Sequence, residues 1–374
     1  MKVLYVAGKF DPRDHDSGSG VDYMIYQSLK QKGVDLTLAG PFNKPWTLIE
    51  ELYFLVHAIV SSKGPVKYTR TYLKDASRQV EKAIRDVDPD VIFTKHAAAL
   101  SYCPIEKPLV YLIDATLVGY RAQWGNFTDS AFNSMLAWET RVVQASREVI
   151  TNSDWSAEIL ADDYQVDKSR ITVYANPSSI PEEVVPEKLE LETKDFDPIK
   201  LLLVGREYRR KGIDIAIEIV QQLNASGHQA ELRIVGLEGE DIPHVHYMGY
   251  YRKTIQEELL GYIENYTWAN FLLHPARFEA AGIVPGEAAA FGVPTITNNA
   301  GGLGTTVRDG VSGLVLPFGS SADKYVEAIL GLVSNPEEYL KLSRSSRERY
   351  ENELNWDHAS DVILDVLKRA AEAG

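Results

Sequence analysis

Short runs of Val, Ile, Leu and Tyr, most followed by a stretch with helical spacing, recur along this chain in two successive series. The first series occupies residues 2–7, 34–38, 90–94, 108–113, 147–151 and 170–174. The second occupies 200–204, 231–235, 244–248, 271–274, 295–297 and 313–316. Several of these runs are unbroken apolar stretches and do not alternate with polar residues, which marks strands covered on both faces. Such strands lie parallel, and parallel neighbours need a crossover long enough for a helix. Segments such as 214–222 and 255–263 supply it. Strand–helix alternation carried out twice predicts an α/β fold of two doubly wound, Rossmann-like parallel-sheet domains.

Between the two series lies SSIPEEVVPEKLELETKDFDP, residues 178–198, acidic and punctuated by proline without sustained periodicity. It reads as a linker holding a domain boundary. The expected division is 1–180, 181–350, and a last helix over 351–374 that crosses back to the first domain. A length of 374 residues is enough for two hydrophobic cores. The net charge of −14 argues against nucleic acid as a partner, since phosphate backbones need basic stripes. One cysteine, Cys103, excludes an intrachain disulfide and any multi-cysteine zinc site.

The opening MKVLYVAG reads as a first strand and not as a signal peptide, so a cytoplasmic setting is expected. The segment WTLIEELYFLVHAIV, 46–60, is too short to span a bilayer and carries Glu50 and Glu51. It reads as an amphipathic helix on its own domain. Lys63, Lys67, Arg70, Lys74 and Arg78 follow it and leave a weak peripheral membrane contact as the alternative.

Ligands of open parallel sheets bind beyond the carboxyl ends of the strands. Three candidate elements fall there. After the first strand, Gly18, Ser19 and Gly20 precede a helix, a small-residue loop through which backbone N–H groups can approach a phosphate or sugar. A plain surface loop would look the same, and the spacing is not the dinucleotide fingerprint. After the strand at 200–204, Gly205 opens a turn that carries Arg206 and Lys211, two cations able to clamp a diphosphate, or simply an exposed basic turn. The third element is RFEAAGIVPGEAAAFGVP, in which seven residues separate Glu279 from Glu287. Pro285 suits a first helical turn, and Gly292 and Pro294 a helix stop. Glu287 then lies near the positive end of the helix and Glu279 in the loop before it. The two carboxylates suit sugar hydroxyls, or else are solvated acids at a helix start. A glycine pair, 301–302, adds a close-approach loop after the next strand. Together the elements suggest one cleft between the two domains.

Taken together, these motifs resemble the retaining GT-B glycosyltransferases of family 4. Arg206 and Lys211 match that family's Gly-Arg and downstream Lys-Gly, and Glu279 and Glu287 match its E-x7-E motif. The runs 294–302 and 308–317, and ITNSDWSA at 150–157, are similar too. The resemblance implies a GT-B fold whose second domain binds a nucleotide-diphosphate sugar, with UDP favoured. It implies that Arg206 and Lys211 hold the diphosphate, Glu287 the ribose and Glu279 the sugar. Backbone groups of Ala281, Gly282 and Ile283 would meet sugar or phosphate oxygens. No metal or other cofactor is expected. Transfer would go with retention to a hydroxyl on a glycan or lipid-linked glycan, in polysaccharide or glycoconjugate synthesis.

Three features depart from the family pattern, one of them AsnProSer at 176–178, which stands where a proline-asparagine-glycine turn ends the family's first domain. Ile113 stands where the family often has histidine, leaving Asp114, or His96 after the preceding strand, to serve the acceptor side. Thr305 stands where glutamate often follows the glycine pair. A nonhydrolysing sugar-nucleotide epimerase and a non-catalytic nucleotide-binding scaffold are the rival readings.

Overall fold

The computed structural model describes residues 1–15, 20–42, 69–125, 127–189, 191 and 195–372. Two compact units emerge: Met1–Tyr174 with Ser360–Gly374, and Ala175–Ala359.

The first unit is built on β1 (Lys2–Val6), β2 (Asp35–Ala39), β3 (Val91–Thr94), β4 (Leu109–Ile113), β5 (Glu148–Thr151) and β6 (Ile171–Val173). They form one sheet in the order β2-β1-β3-β4-β5-β6, every pair parallel. Strands β1, β3 and β4 are buried almost throughout, as their apolar runs require. Helices 21–31, 70–87, 129–145 and 154–162 cover the sheet. Their starts are fixed locally. The Thr69, Thr128 and Ser153 side chains each accept a backbone N–H of the first turn, satisfying donors the helix itself cannot.

The second unit carries β7 (Ile199–Val204), β8 (Ala230–Val235), β9 (Val245–Gly249), β10 (Phe271–His274), β11 (Thr295–Asn298) and β12 (Gly313–Leu316). Their order is β12-β11-β10-β7-β8-β9, again all parallel. The helix Ile213–Ala225 buries Ile213, Ala216, Ile219, Val220 and Leu223, a stripe with helical period. That stripe joins Leu201, Leu203, Leu232, Ile234 and Leu273 in the core on one side of the sheet. A separate core holds Leu202, Leu272 and Ala288–Phe291.

All twelve strands lie within one residue of their sequence positions, and the fold class is the one the alternation predicts. One difference concerns residues 178–198. The units divide at Tyr174 and Ala175, before that segment. Ile180 is fully buried and Val185 nearly so, both in the core with Leu202. Two apolar side chains at the right spacing outweigh an acidic, proline-rich setting. The helix Trp356–Glu372 begins in the second unit and ends in the first. There, Arg369 donates to Glu148 and Thr172, and Asp361 pairs with Lys32 at 2.8 Å.

Strand order reverses between β7 and β10 in the second sheet and between β1 and β3 in the first. Crevices at the carboxyl end of a sheet form at such switch points, and the candidate residues gather there.

Candidate functional site

In the second unit the switch point brings two loops together, 205–212 after β7 and 275–283 after β10. Gly212 has φ +70°, and a Cβ on it would sit 2.0 Å from the Pro275 carbonyl oxygen. Only glycine permits this approach. The Arg277 N–H donates to the Arg210 carbonyl at 2.8 Å, and the Arg277 guanidinium grips Asp214 with two bonds of 2.7 Å. The loops are thus zipped along their lengths.

Glu279 lies at the centre. Its Oε2 accepts the Lys211 ammonium and, at 3.1 Å, Arg210 Nη1, while His274 Nε2 stands 3.6 Å away. Burial pushes the Glu279 carboxyl up, but Lys211, His274 and Arg210 outweigh it and hold the group well below the usual carboxylate range. His274 is fully buried, and burial, reinforced by Lys211, depresses its imidazole pKa. The Gly302 N–H donates to the Glu279 carbonyl at 3.0 Å, so the glycine pair fixes the same loop.

Of the two sequence-predicted cations, Lys211 is therefore an inward partner of Glu279. Arg206 is exposed, its guanidinium 4.1 Å from the Tyr250 ring centroid. It has no acidic partner among the described residues. Ala281 and Gly282 are buried, Gly282 at φ +79°. The N–H groups of Ala281, Gly282 and Ile283 meet no acceptor among the described residues, and successive free backbone donors suit an oxyanion.

Glu287 sits in the first turn of the helix Val284–Ala290 and is 1% exposed. Ser179 and Lys253 donate to Oε1, each at 2.5 Å, and Tyr262 and Tyr266 to Oε2, each at 2.6 Å. Burial raises this carboxyl, and Lys253 with the hydroxyl donors brings it below its ordinary value. The two tyrosine hydroxyls are pushed well up, first by burial and then by Glu287. Gly286 lets this helix meet the chain at Asn176–Ser178, where a Cβ would come within 3.1 Å of Ser178 N.

In the first unit, Asp114 follows β4 and Lys95 follows β3. Lys95 Nζ stands 3.5 Å from Asp114 Oδ2, and Asp114 Oδ1 is shielded without a partner. Asp22 accepts the Tyr5 hydroxyl at 3.1 Å and stands 3.5 Å from His96 Nε2. Burial alone would raise Asp22, but Lys95 and His96 hold it well below the carboxylate range. Burial would lower Lys95, but Asp114 and Asp22 raise it, so its ammonium stays charged. His96 packs on Gly8, whose Cβ would fall 2.6 Å from the ring. Gly20, at φ +78°, begins the helix 21–31, while Gly18 and Ser19 lie outside the described residues, as does the whole segment 46–60. No helix among the described residues is long and apolar enough to cross a membrane.

Sequence reasoning missed Arg210, His274, Lys253, Ser179, Tyr262 and Tyr266. A signal for two of them was present: Tyr262 and Tyr266 are four residues apart, on one helical face.

Residues 186–349 match the family model of glycosyl transferases group 1, and residues 23–177 that of glycosyltransferase family 4. The D-inositol 3-phosphate glycosyltransferase of Rhodococcus jostii is 26% identical over 253 residues, 62% of this chain and 54% of that protein. The chain spans about half the length of the curated relatives it matches. The sucrose-phosphate synthase of Thermosynechococcus elongatus superposes with a TM-score of 0.69 at 19% identity, over 100% of both chains. Anabaena HepE in complex with UDP gives 0.65 at 17% identity, over 99% of this chain and 100% of that one.

Proposed function

We propose, from the premise that this chain belongs to the group 1 glycosyl transferases of GT-B fold, that it moves a sugar from a nucleoside-diphosphate donor to a hydroxyl acceptor. The observation that carries the reading is the Glu279 cluster. Residues 68 positions apart in sequence, Lys211 and Glu279, meet at the switch point of one sheet. Arg206, in the same loop as Lys211, stays exposed, and the free N–H groups of 281–283 lie in the loop that carries Glu279.

In this reading the bond between the anomeric carbon and the β-phosphate oxygen breaks, and its electron pair leaves with the diphosphate. Arg206, the N–H groups of Ala281 to Ile283 and the nearby Lys211 charge receive the growing negative charge. Glu279, held ionised, faces the positive charge that develops on the sugar. The acceptor oxygen bonds to the anomeric carbon, and its proton passes to the departing diphosphate on the same face, so configuration is retained. Asp114 serves the acceptor side, and no metal is called for because fixed cations already meet the leaving group. UDP is the favoured nucleotide, supported by the likeness of the fold to Anabaena HepE, which was solved in complex with UDP. A glycan or lipid-linked glycan is the favoured acceptor.

The test is thermal stability against UDP, GDP, ADP and NAD at matched concentrations. A ligand at about a hundred times its Kd adds about 2.7 kcal/mol, a visible shift. One nucleoside diphosphate should raise Tm, and Arg206→Ala should reduce that rise and slow donor turnover further still. No rise with any of them would sink the donor reading and favour a scaffold.

A further inference from the structure

The segment after β11 is built against the loop that carries Glu279. It contains the glycine pair 301–302 and the short helix Leu303–Thr306. Leu303 is fully buried and packs with Ala276 and Ala300 in a small core. The Gly302 N–H donates to the Glu279 carbonyl at 3.0 Å, and the Thr306 hydroxyl donates to the Ala281 carbonyl at 2.5 Å. Thr306 and Ala281 are both 0% exposed, so bulk water does not reach that second bond.

A trans peptide is planar, and its C=O and N–H point in opposite directions. The bond between Ala281 and Gly282 is trans. Holding the Ala281 carbonyl on Thr306 therefore turns the Gly282 N–H to the opposite side, where it has no acceptor among the described residues. Gly282, at φ +79°, has no side chain of its own to hold that plane. A Cβ on it would meet Leu303 Cδ2 at 3.1 Å, so the short helix lies directly against it. The helix is itself fixed. Arg349, 4% exposed, donates to the Thr305 and Thr306 carbonyls and, at 2.9 Å, to Ser312 Oγ. Carbonyls at a helix end that would lack partners are thus satisfied by a buried guanidinium.

We propose that Thr306 is a positioning residue for the departing diphosphate: by holding the Ala281 carbonyl, its hydroxyl aims the Gly282 N–H at a phosphate oxygen of the bound donor. This rests on the donor reading above. Thr306 does not touch the donor and acts through one peptide plane. A hydrogen bond to a charged oxygen is stronger than one between neutral groups, so the aim of a single N–H is felt in affinity. The Thr306 methyl group takes no part in this. A serine hydroxyl serves as well, and the isosteric valine does not.

The experiment measures affinity for UDP, GDP and ADP, and for uridine, guanosine and adenosine, with the full chain, with Thr306→Val and with Thr306→Ser. In the parent the preferred diphosphate should bind more tightly than its nucleoside, and the ratio of the two affinities reads what the phosphates contribute. Thr306→Val should lower that ratio by about tenfold and leave nucleoside affinity unchanged, while Thr306→Ser should keep the parent ratio. Thr306→Ala removes the hydroxyl without setting a second methyl group against the carbonyl, and it gives the same reading if Thr306→Val does not fold. A merely structural role would lower Tm and leave the ratio where it stood, which would overturn the inference. An equal fall of the ratio in Thr306→Ser and Thr306→Val would overturn it too, since methyl packing would then hold the loop. A parent that binds no nucleoside diphosphate removes the donor reading and this inference with it, whereas an unchanged ratio removes this inference alone.

Discussion

Single residues in this protein show how the partners of a buried carboxyl decide its behaviour. Glu279 and Glu287 are buried beside lysines and are held ionised. Glu139 is buried with the Tyr164 hydroxyl and the Leu117 N–H as its donors among the described residues, and burial pushes it up to about 7. Between the ordinary carboxylate pKa and about 7, the folded protein keeps a proton that the unfolded chain gives up. Stability therefore falls as pH rises through that window, by up to about 3 kcal/mol from this group, and levels off above it. Glu139→Gln should gain stability relative to the parent at pH 8 and much less at pH 5. Denaturant titrations at both values check this, and an equal difference at the two would refute it. The pairs of Glu279 and Glu287 act in the opposite sense: their stabilisation is present above the ordinary carboxylate pKa and fades as pH drops below it. The sequence marked both acids through their spacing and their helix start, but not their partners. Lys253 is 34 positions from Glu287, and no local pattern links a residue after β9 to one after β10. Strand order supplies that link, and it is a property of the whole sheet. The pairing of Arg210 with Glu279, 69 positions away, is out of reach of a local pattern for the same reason.

At the scale of elements, the loops after β7 and β10 act as one body because Gly212 lets them touch. Gly212→Ala would place a methyl group inside the Pro275 carbonyl in a left-handed backbone conformation. It should cost about 3 kcal/mol and weaken nucleotide stabilisation, because Lys211 would shift away from Glu279. Gly227 is the control: its φ is +89°, and nothing lies within 4 Å of a Cβ there. Gly227→Ala should cost about 1 kcal/mol and leave nucleotide binding alone. Similar losses at the two positions in equilibrium unfolding would contradict the zipped-loop account. The strands were legible here because buried parallel strands write themselves as apolar runs. The place of Gly212 was not legible, since a glycine beside a lysine also suits an ordinary helix start.

For the whole molecule, the first unit is discontinuous in sequence, Met1–Tyr174 completed by the chain from Ser360 onward. That last stretch buries Ile363, Val366, Leu367 and Ala370 completely. A chain cut after Ala359 should therefore keep residues 175–359 resistant to limited proteolysis while 1–174 is digested. Full resistance of both parts after the cut would show that the returning helix adds nothing to the first unit. The last helix was legible as amphipathic, but the unit it completes is decided by side-chain fit, such as Arg369 on Glu148 and Thr172.

The return of the chain also sets an order of events during synthesis. Residues 1–174 leave the ribosome before the second unit, yet the helix that finishes their unit is made only after that entire unit. At about 5–20 residues per second, the earlier half waits many seconds with the seat of that helix uncovered. The part made later is the first that can close completely. The earlier of the two units is thus finished after the later one, and the window in which a chaperone is useful belongs to it.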